Sequence, residues 1–320
     1  MQNEPMLCVQ DLSVRFKTKY GSAAAVNHVS FSLKKGEKLG LVGESGSGKT
    51  TIGRAIMRIL PTSGGQVLYK GQQINGKISH ALDRQVIKEM QMIFQDPQSS
   101  LNERAKVSYI VGEGLQNVRP DLSTAQQEEK VRQALLDVGL LPEFASRFPH
   151  EFSGGQRQRI GIARALAMEP KIILADEPVS ALDVSIQAQI INLLKELRDK
   201  LGLTIIFISH DLSVVRYIAD RIVVMYLGRI VEQAPAETLF EHPMHPYTIA
   251  LLKATPEIRP EQHGIEKPML EGEPPSPVHL PKGCPFAGRC RYRLDQCEAC
   301  VPELKNVAED HAVRCINLQN

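Results

Sequence analysis

Nine consecutive residues, Gly43-Glu44-Ser45-Gly46-Ser47-Gly48-Lys49-Thr50-Thr51, follow the pattern G-x-x-x-x-G-K-[ST]. Each residue type meets a need of phosphate binding. Glycine lets backbone N–H groups curl around phosphate oxygens with no Cβ in the way. The Lys49 ammonium can reach the β- and γ-phosphates, and the Thr50 hydroxyl is suited to Mg²⁺. Such a loop works between a strand and a helix, because the helix N-terminus adds partial positive charge beneath the anion. Residues 38–42 read as a buried strand and residues 52–60 as a helix, so both flanks are in register. The stretch is expected to bind a nucleoside triphosphate.

Other positions have chemistry to add. Residues 171–178, Lys-Ile-Ile-Leu-Ala-Asp-Glu-Pro, run apolar into two carboxylates. At the end of a buried strand beside a phosphate loop, Asp176 suits Mg²⁺ through water and Glu177 suits polarisation of an attacking water. Residues 203–209 form another apolar strand, which ends at His210. Phe152-Ser153-Gly154-Gly155-Gln156 opens a helical run to Ala167, with Ser153 as its cap and two glycines at its positive end. This is a second phosphate-seeking helix N-terminus. Tyr20, in a turn between two alternating runs, is a candidate to stack on a nucleobase.

The elements that must hold these groups are legible from periodicity. Leu7, Val9, Leu12, Val14 and Phe16 alternate as a strand would, as do residues 26–33, and the two predict an antiparallel sheet joined by a turn at residues 17–21. Residues 66–68 and 90–94 read as short strands, with turns at Gly64-Gly65 and Gly71. From residue 107 to about 167 the pattern is helical, which suggests a subdomain inserted into an α/β chain. Ser180-Ala181-Leu182-Asp183 starts a helix over residues 184–200, and residues 223–226 and 229–232 form a hairpin through Leu227-Gly228.

Bulk properties narrow the class. A chain of 320 residues with 42% hydrophobic and 23% charged content is of ordinary globular composition. A net charge of +2 disfavours nucleic acid or anionic lipid as the main partner. The polar start and the lack of any apolar run of about eighteen residues predict a cytoplasmic chain with neither signal peptide nor membrane span. Cys8 stands apart, whereas Cys284, Cys290, Cys297, Cys300 and Cys315 cluster after a stretch rich in proline (Pro260, Pro268, Pro274, Pro275, Pro277, Pro281). Clustered thiols in a reducing compartment suit an iron–sulfur cluster or structural Zn²⁺, although the spacing is not that of a zinc ribbon. Nearby Arg289, Arg291 and Arg293 would offset a cluster's charge or form a solvated face.

In order and spacing, residues 43–51, Gln95, residues 152–156, residues 172–177, residues 180–183 and His210 resemble the Walker A, Q-loop, signature, Walker B, D-loop and H-loop of ATP-binding cassette (ABC) ATPases. The resemblance spans about residues 5–245. It implies a P-loop NTPase (RecA-like) α/β cassette with an N-terminal antiparallel β subdomain, a helical insertion at about 97–167, and a small Cys-rich extension over 246–320. It also implies a head-to-tail cassette dimer. Gly43, Ser45, Gly46, Gly48, Lys49, Thr50 and Thr51 would hold ATP and Mg²⁺, and Gln95 and Asp176 would complete the metal shell. Glu177 would act as general base, His210 would contact the γ-phosphate and Tyr20 would stack on adenine. Ser153, Gly154, Gly155 and Gln156 would act across the dimer. Phe152 stands where the family usually has Leu.

Residues 92–97 with Ser100-Leu101-Asn102, then His245-Pro246-Tyr247-Thr248, then Pro274-Pro275-Ser276-Pro277 and the terminal cysteines are similar to the dipeptide/oligopeptide and nickel branch. Glu103 stands where that branch generally has Pro. This narrower resemblance implies Cys284, Cys290, Cys297 and Cys315 as ligands of a 4Fe–4S cluster, with Cys300 extra. It further implies a second ATPase subunit, two integral-membrane permeases and an extracytoplasmic substrate-binding protein. The place of work would be the cytoplasmic face of the membrane. Nickel or glutathione as cargo, or a soluble ABC ATPase without a transporter, are the alternatives.

Overall fold

The computed structural model describes residues 4–254 and 272–318; Pro260, Pro268 and Glu271 of the proline-rich stretch lie outside them. The elements begin with β1 (Leu7–Thr18), β2 (Gly21–Leu33), β3 (Lys38–Val42), α1 (Lys49–Ile56), β4 (Gly64–Tyr69), β5 (Gln72–Gln73), α2 (His80–Glu89) and β6 (Met90–Ile93). Next come α3 (Pro97–Ser100), α4 (Val107–Val118), α5 (Thr124–Asp137), α6 (Gly154–Ala167), β7 (Ile172–Asp176), α7 (Val184–Leu201) and β8 (Thr204–Ser209). The last are α8 (Leu212–Ile218), β9 (Arg221–Tyr226), β10 (Arg229–Pro235), α9 (Ala236–Glu241), α10 (Pro246–Ala254), α11 (Gln296–Ala299), β11 (Lys305–Ala308) and β12 (His311–Val313). Two compact units result. The first comprises Met1–Leu33, Lys38–Gly76 and Ser209–Asn320, and the second Lys34–Glu37 and Lys77–Ile208.

In the first unit, β2, β1, β4 and β5 form an antiparallel sheet. Leu7, Val9, Leu12 and Val14 are buried, and the three-residue step from Val9 to Leu12 coincides with a register shift. Asp11 takes a left-handed φ of 50° there, so the slip in alternation marks a bulge. The strands run further than the expected turn at 17–21 allowed. Thr18 pairs with Gly21, leaving Lys19 and Tyr20 as a tight connection.

β3 lies parallel to β9, and β9, β10, β12 and β11 continue in that order with antiparallel pairing. The β9–β10 hairpin turns at Leu227 (φ 43°) and Gly228 (φ 76°), the left-handed pair that a two-residue hairpin loop needs. The Cys-rich tail contributes β11 and β12 to this unit, which periodicity alone did not suggest. A buried carboxylate ties it down: Glu232 Oε1 accepts from Met244 N (2.8 Å) and lies 2.8 Å from His311 Nε2, and Oε2 accepts from His245 N (3.1 Å).

In the second unit β8, β7 and β6 are parallel. Every residue of β7 and β8 is buried, as expected when helices cover both faces of a parallel sheet. The helical stretch resolves into α4, α5 and α6. α5 and α6 each begin with a reciprocal serine–glutamine capping box, Ser123/Gln126 and Ser153/Gln156. α2, which the sequence reading lacked, is capped by Ser79 through Leu82 N. Among the described residues no helix is long and apolar enough to cross a membrane.

Buried His245 ties stability to pH. Its Nδ1 accepts from Tyr247 N at 3.1 Å, so the ring must be neutral there, and burial lowers its pKa from 6.5 to about 4, against a smaller upward pull from Glu232. The unfolded chain therefore binds this proton more readily than the folded one. The associated stability is complete above pH 6.5, falls as pH drops below that value, and is gone once pH has passed through 4. Its size is on the order of 3 kcal/mol. Urea midpoints measured from pH 7.5 to 4 should fall across this window, and His245→Asn, which keeps an acceptor for Tyr247 N, should flatten the fall.

Candidate active site

β3 delivers the phosphate loop directly into α1, and two of its glycines are required by space. A Cβ on Gly43 (φ 148°) would lie 2.2 Å from Met225 O, and one on Gly48 (φ 101°) 2.3 Å from Ala25 O. Neighbours within the first unit hold the loop. Gly228 N donates to Ser47 O (2.9 Å), Asn27 N donates to Gly228 O (2.8 Å), and Glu44 N donates to the Tyr247 hydroxyl (2.8 Å). Lys49, only 4% exposed, donates from Nζ to Gly43 O (2.7 Å), Glu44 O (2.9 Å) and Ser47 Oγ (3.4 Å). Ser45 and Gly46 are exposed, and Thr50 and Thr51 are half-buried at the start of α1. The shorter observed helix, ending at Ile56 rather than near residue 60, still places Lys49 and Thr50 in its first turn. Tyr20 is 82% exposed at the β1–β2 connection, its ring open to solvent. His210 is exposed immediately after β8.

In the second unit, Asp176 is buried at the end of β7 and Glu177 follows it, with a left-handed φ of 45°. A non-glycine residue in this region costs energy and is kept only where its surroundings impose it. Glu177 N donates to Ile208 O (3.0 Å), while Ser180 Oγ donates to Glu177 O (3.1 Å). Gln95 Nε2 donates to Glu177 Oε2 at 2.9 Å, so two residues 82 positions apart are joined side chain to side chain.

Ser153 Oγ accepts from Gln156 N, and Gln156 Oε1 accepts from Ser153 N. The Ser153 hydroxyl thus uses a lone pair in capping and keeps its proton to donate. Gly155 packs against α7: a Cβ there would lie 2.7 Å from Ile186 Cγ2. Phe152 is buried with its ring edge-on to Phe144, centroids 5.4 Å apart, so the larger ring is accommodated within the same unit.

The metal centre expected of the cysteine tail finds no support among the described residues. Burial raises the pKa of the Cys284 and Cys290 thiols and lifts Cys315 to about 11, with nearby thiolate charge adding to each rise. Cys284, Cys290 and Cys297 all contribute to the rise at Cys315, whereas Cys300 is exposed and its Sγ faces Gln296 O at 3.7 Å. Backbone N–H groups point at sulfur: those of Phe286 and Ala287 at Cys284, that of Tyr292 at Cys290, and Leu294 N at Cys297 Sγ (3.5 Å). Even so, no group of three or more His, Cys, Asp or Glu side chains among the described residues is arranged to hold a metal ion. Protonated thiols are not metal ligands, and burial favours that form here.

The reading of Arg289 needs correction. Neither cysteine charge nor solvent is its main partner. Its side chain is 6% exposed and grips Glu44 with both terminal nitrogens, Nη1–Oε2 2.8 Å and Nη2–Oε1 3.0 Å. Glu44, Tyr247 and Arg289 were missed as parts of the site because nothing periodic links them. The one available signal was an acidic residue inside a phosphate loop, where charge of that sign needs a cation.

Comparison with known proteins shows the family. The model of the ABC transporter family matches residues 26–180, and that of the oligopeptide/dipeptide transporter C-terminal region matches residues 231–297. The oligopeptide transport ATP-binding protein AppF of Bacillus subtilis is 52% identical over 302 residues, 94% of this chain and 91% of that one. The oligopeptide transport ATP-binding protein OppF of Streptococcus pyogenes is 52% identical over 279 residues, 87% and 88% of the two chains. Among solved structures, the dimeric ATP-binding cassette MJ0796 in a post-hydrolysis state with ADP and Pi aligns with a TM-score of 0.66 at 29% identity, over 72% of this chain and 99% of that one. The chain belongs to the oligopeptide/dipeptide branch of the ABC transporter ATPases.

Proposed function

We propose that the chain is the ATP-hydrolysing subunit of a membrane importer of di- and oligopeptides, with residues 5–245 as the cassette, about 97–167 as its helical insertion and 246–320 as the extension. The observation that carries the reading is Glu177, held at the end of buried β7 by a left-handed backbone and the Gln95 amide. Lys49 and the loop N–H groups bind the β- and γ-phosphates, Tyr20 stacks on adenine, and His210 contacts the γ-phosphate. Thr50, Gln95 and Asp176 would hold Mg²⁺, whose charge would offset that of the phosphates. Glu177 takes the proton of a water whose oxygen bonds to the γ-phosphorus as the β–γ bridging bond breaks, giving ADP and phosphate. Ser153, Gly154, Gly155 and Gln156 donate to ATP held by a second cassette, through a helix N-terminus whose serine retains its proton.

The partners in this reading are a second ATPase chain, two permeases and an extracytoplasmic binding protein, with no nucleic acid, at the cytoplasmic face of the membrane. The names of AppF and OppF support peptides as cargo over nickel or glutathione. Cys284, Cys290, Cys297 and Cys315 are the proposed ligands of a 4Fe–4S cluster, with Zn²⁺ as the alternative. Amide N–H groups aimed at three of the four sulfurs suit thiolates under a metal, since such bonds stabilise sulfur charge.

Glu177→Gln should slow phosphate release on the order of 10²- to 10⁴-fold while ATP still binds. Wild-type turnover in that variant would remove Glu177 as the base. Anaerobic purification of wild type and Cys284→Ser should give iron and sulfide at about four per chain with a broad absorbance near 400 nm, both lost in the variant. Stoichiometric zinc would make the tail a structural clip, and a metal-free wild type would rule out both ligand assignments.

A further inference from the structure

We infer that Arg289, in the Cys-rich tail, is a positioning residue for nucleotide binding: through Glu44 it fixes the carbonyl that holds the Lys49 ammonium. Every polar group of Glu44 is engaged inside the first unit. Its carboxylate takes both terminal nitrogens of Arg289, its N–H donates to the Tyr247 hydroxyl, and its carbonyl accepts from Lys49 Nζ and from Ser47 N. The flanking loop offers little stiffness of its own, because Gly43, Gly46 and Gly48 all take positive φ. A planar fork gripping a carboxylate at two points fixes orientation as well as distance, which a single point contact does not.

Arg289 is itself held. Its Nη1 reaches the Tyr226 hydroxyl at 3.4 Å, and its guanidinium carbon lies 5.9 Å from the centre of that ring. Tyr226, Tyr247 and Phe286 pack on one another with centroids 4.7, 5.3 and 5.4 Å apart. Phe286 and Arg289 sit in the same short turn, between Cys284 and Cys290. The tail therefore forms part of the frame around the phosphate loop, and its cation is spent on the loop's carboxylate.

This inference rests on the ATP-binding reading, and titration calorimetry with the non-hydrolysable analogue adenylyl imidodiphosphate tests the two separately. Wild type that fails to bind the analogue removes the reading itself. With wild type binding, Arg289→Met should weaken affinity roughly tenfold, with KM for ATP rising in step and kcat staying within about twofold. Arg289→Lys, a point charge without the fork, should recover part of the loss. Glu44→Gln combined with Arg289→Met should weaken binding no more than the worse single change, since both break one contact. Lys305→Met, which removes an exposed cation of the same tail, should leave affinity unchanged. If Arg289→Met lowers the thermal midpoint yet binds the analogue as wild type does, the contact is structural only and the inference is wrong. If Arg289→Met does not fold, Arg289→Lys decides: unchanged affinity overturns the inference, and weakened affinity beside a normal Lys305→Met sustains it.

Discussion

A buried ammonium must find its solvation inside the protein. Lys49 finds it in the carbonyls of Gly43 and Glu44, within the loop that it serves. Those carbonyls can only point inward if the loop backbone takes turns that side chains would obstruct, hence glycine where Met225 O and Ala25 O close in. The closing neighbours in turn fix where the β9–β10 hairpin and β2 must lie. Gly228 N and Ala25 O are contacts with the loop from those elements. One lysine's solvation thus reaches the placement of the β9–β10 hairpin and β2. The same economy extends to Glu44, whose carbonyl serves Lys49 while its carboxylate draws a guanidinium from 245 positions away.

The second unit solves the opposite problem, that of presenting negative charge. Strands buried on both faces cannot carry charge along their length, so carboxylates appear where the strand stops. Asp176 is the last residue of β7, and Glu177 is turned aside by its left-handed backbone rather than continuing the strand. Gln95 then restrains a side chain that would otherwise sample many rotamers. Its amide is neutral, so it orients the carboxylate without cancelling its charge.

Much of this was readable from local pattern. The phosphate loop, the apolar runs into Asp176 and His210, and the Ser153 cap are each decided within about ten residues, the range over which periodicity and capping speak. Even the bulge at Asp11 was present as a three-residue step in an alternating run. The pairings were not readable. Glu44 with Arg289 and Gln95 with Glu177 join distant residues whose neighbours give no hint of convergence. β11 and β12 are short, and β11 is largely exposed, so they lack the apolar alternation by which strands are recognised. α2 carries a serine cap, but its weakly apolar face left Ser79 looking like one more loop serine.

The pairing of β12 with β10 has a consequence for how the chain is made. His311 leaves the ribosome 79 residues after Glu232, the carboxylate that it meets. During that interval β10 has one open edge, and its buried acid lacks the imidazole that faces it. An unpaired edge on a nascent chain is a template for wrong partners, including the same strand on a neighbouring chain. The β10 edge therefore stays unpaired until translation has passed β12. Slow synthesis through the proline-rich stretch would lengthen the exposure, and a chaperone covering β10 would have the most to protect at that stage.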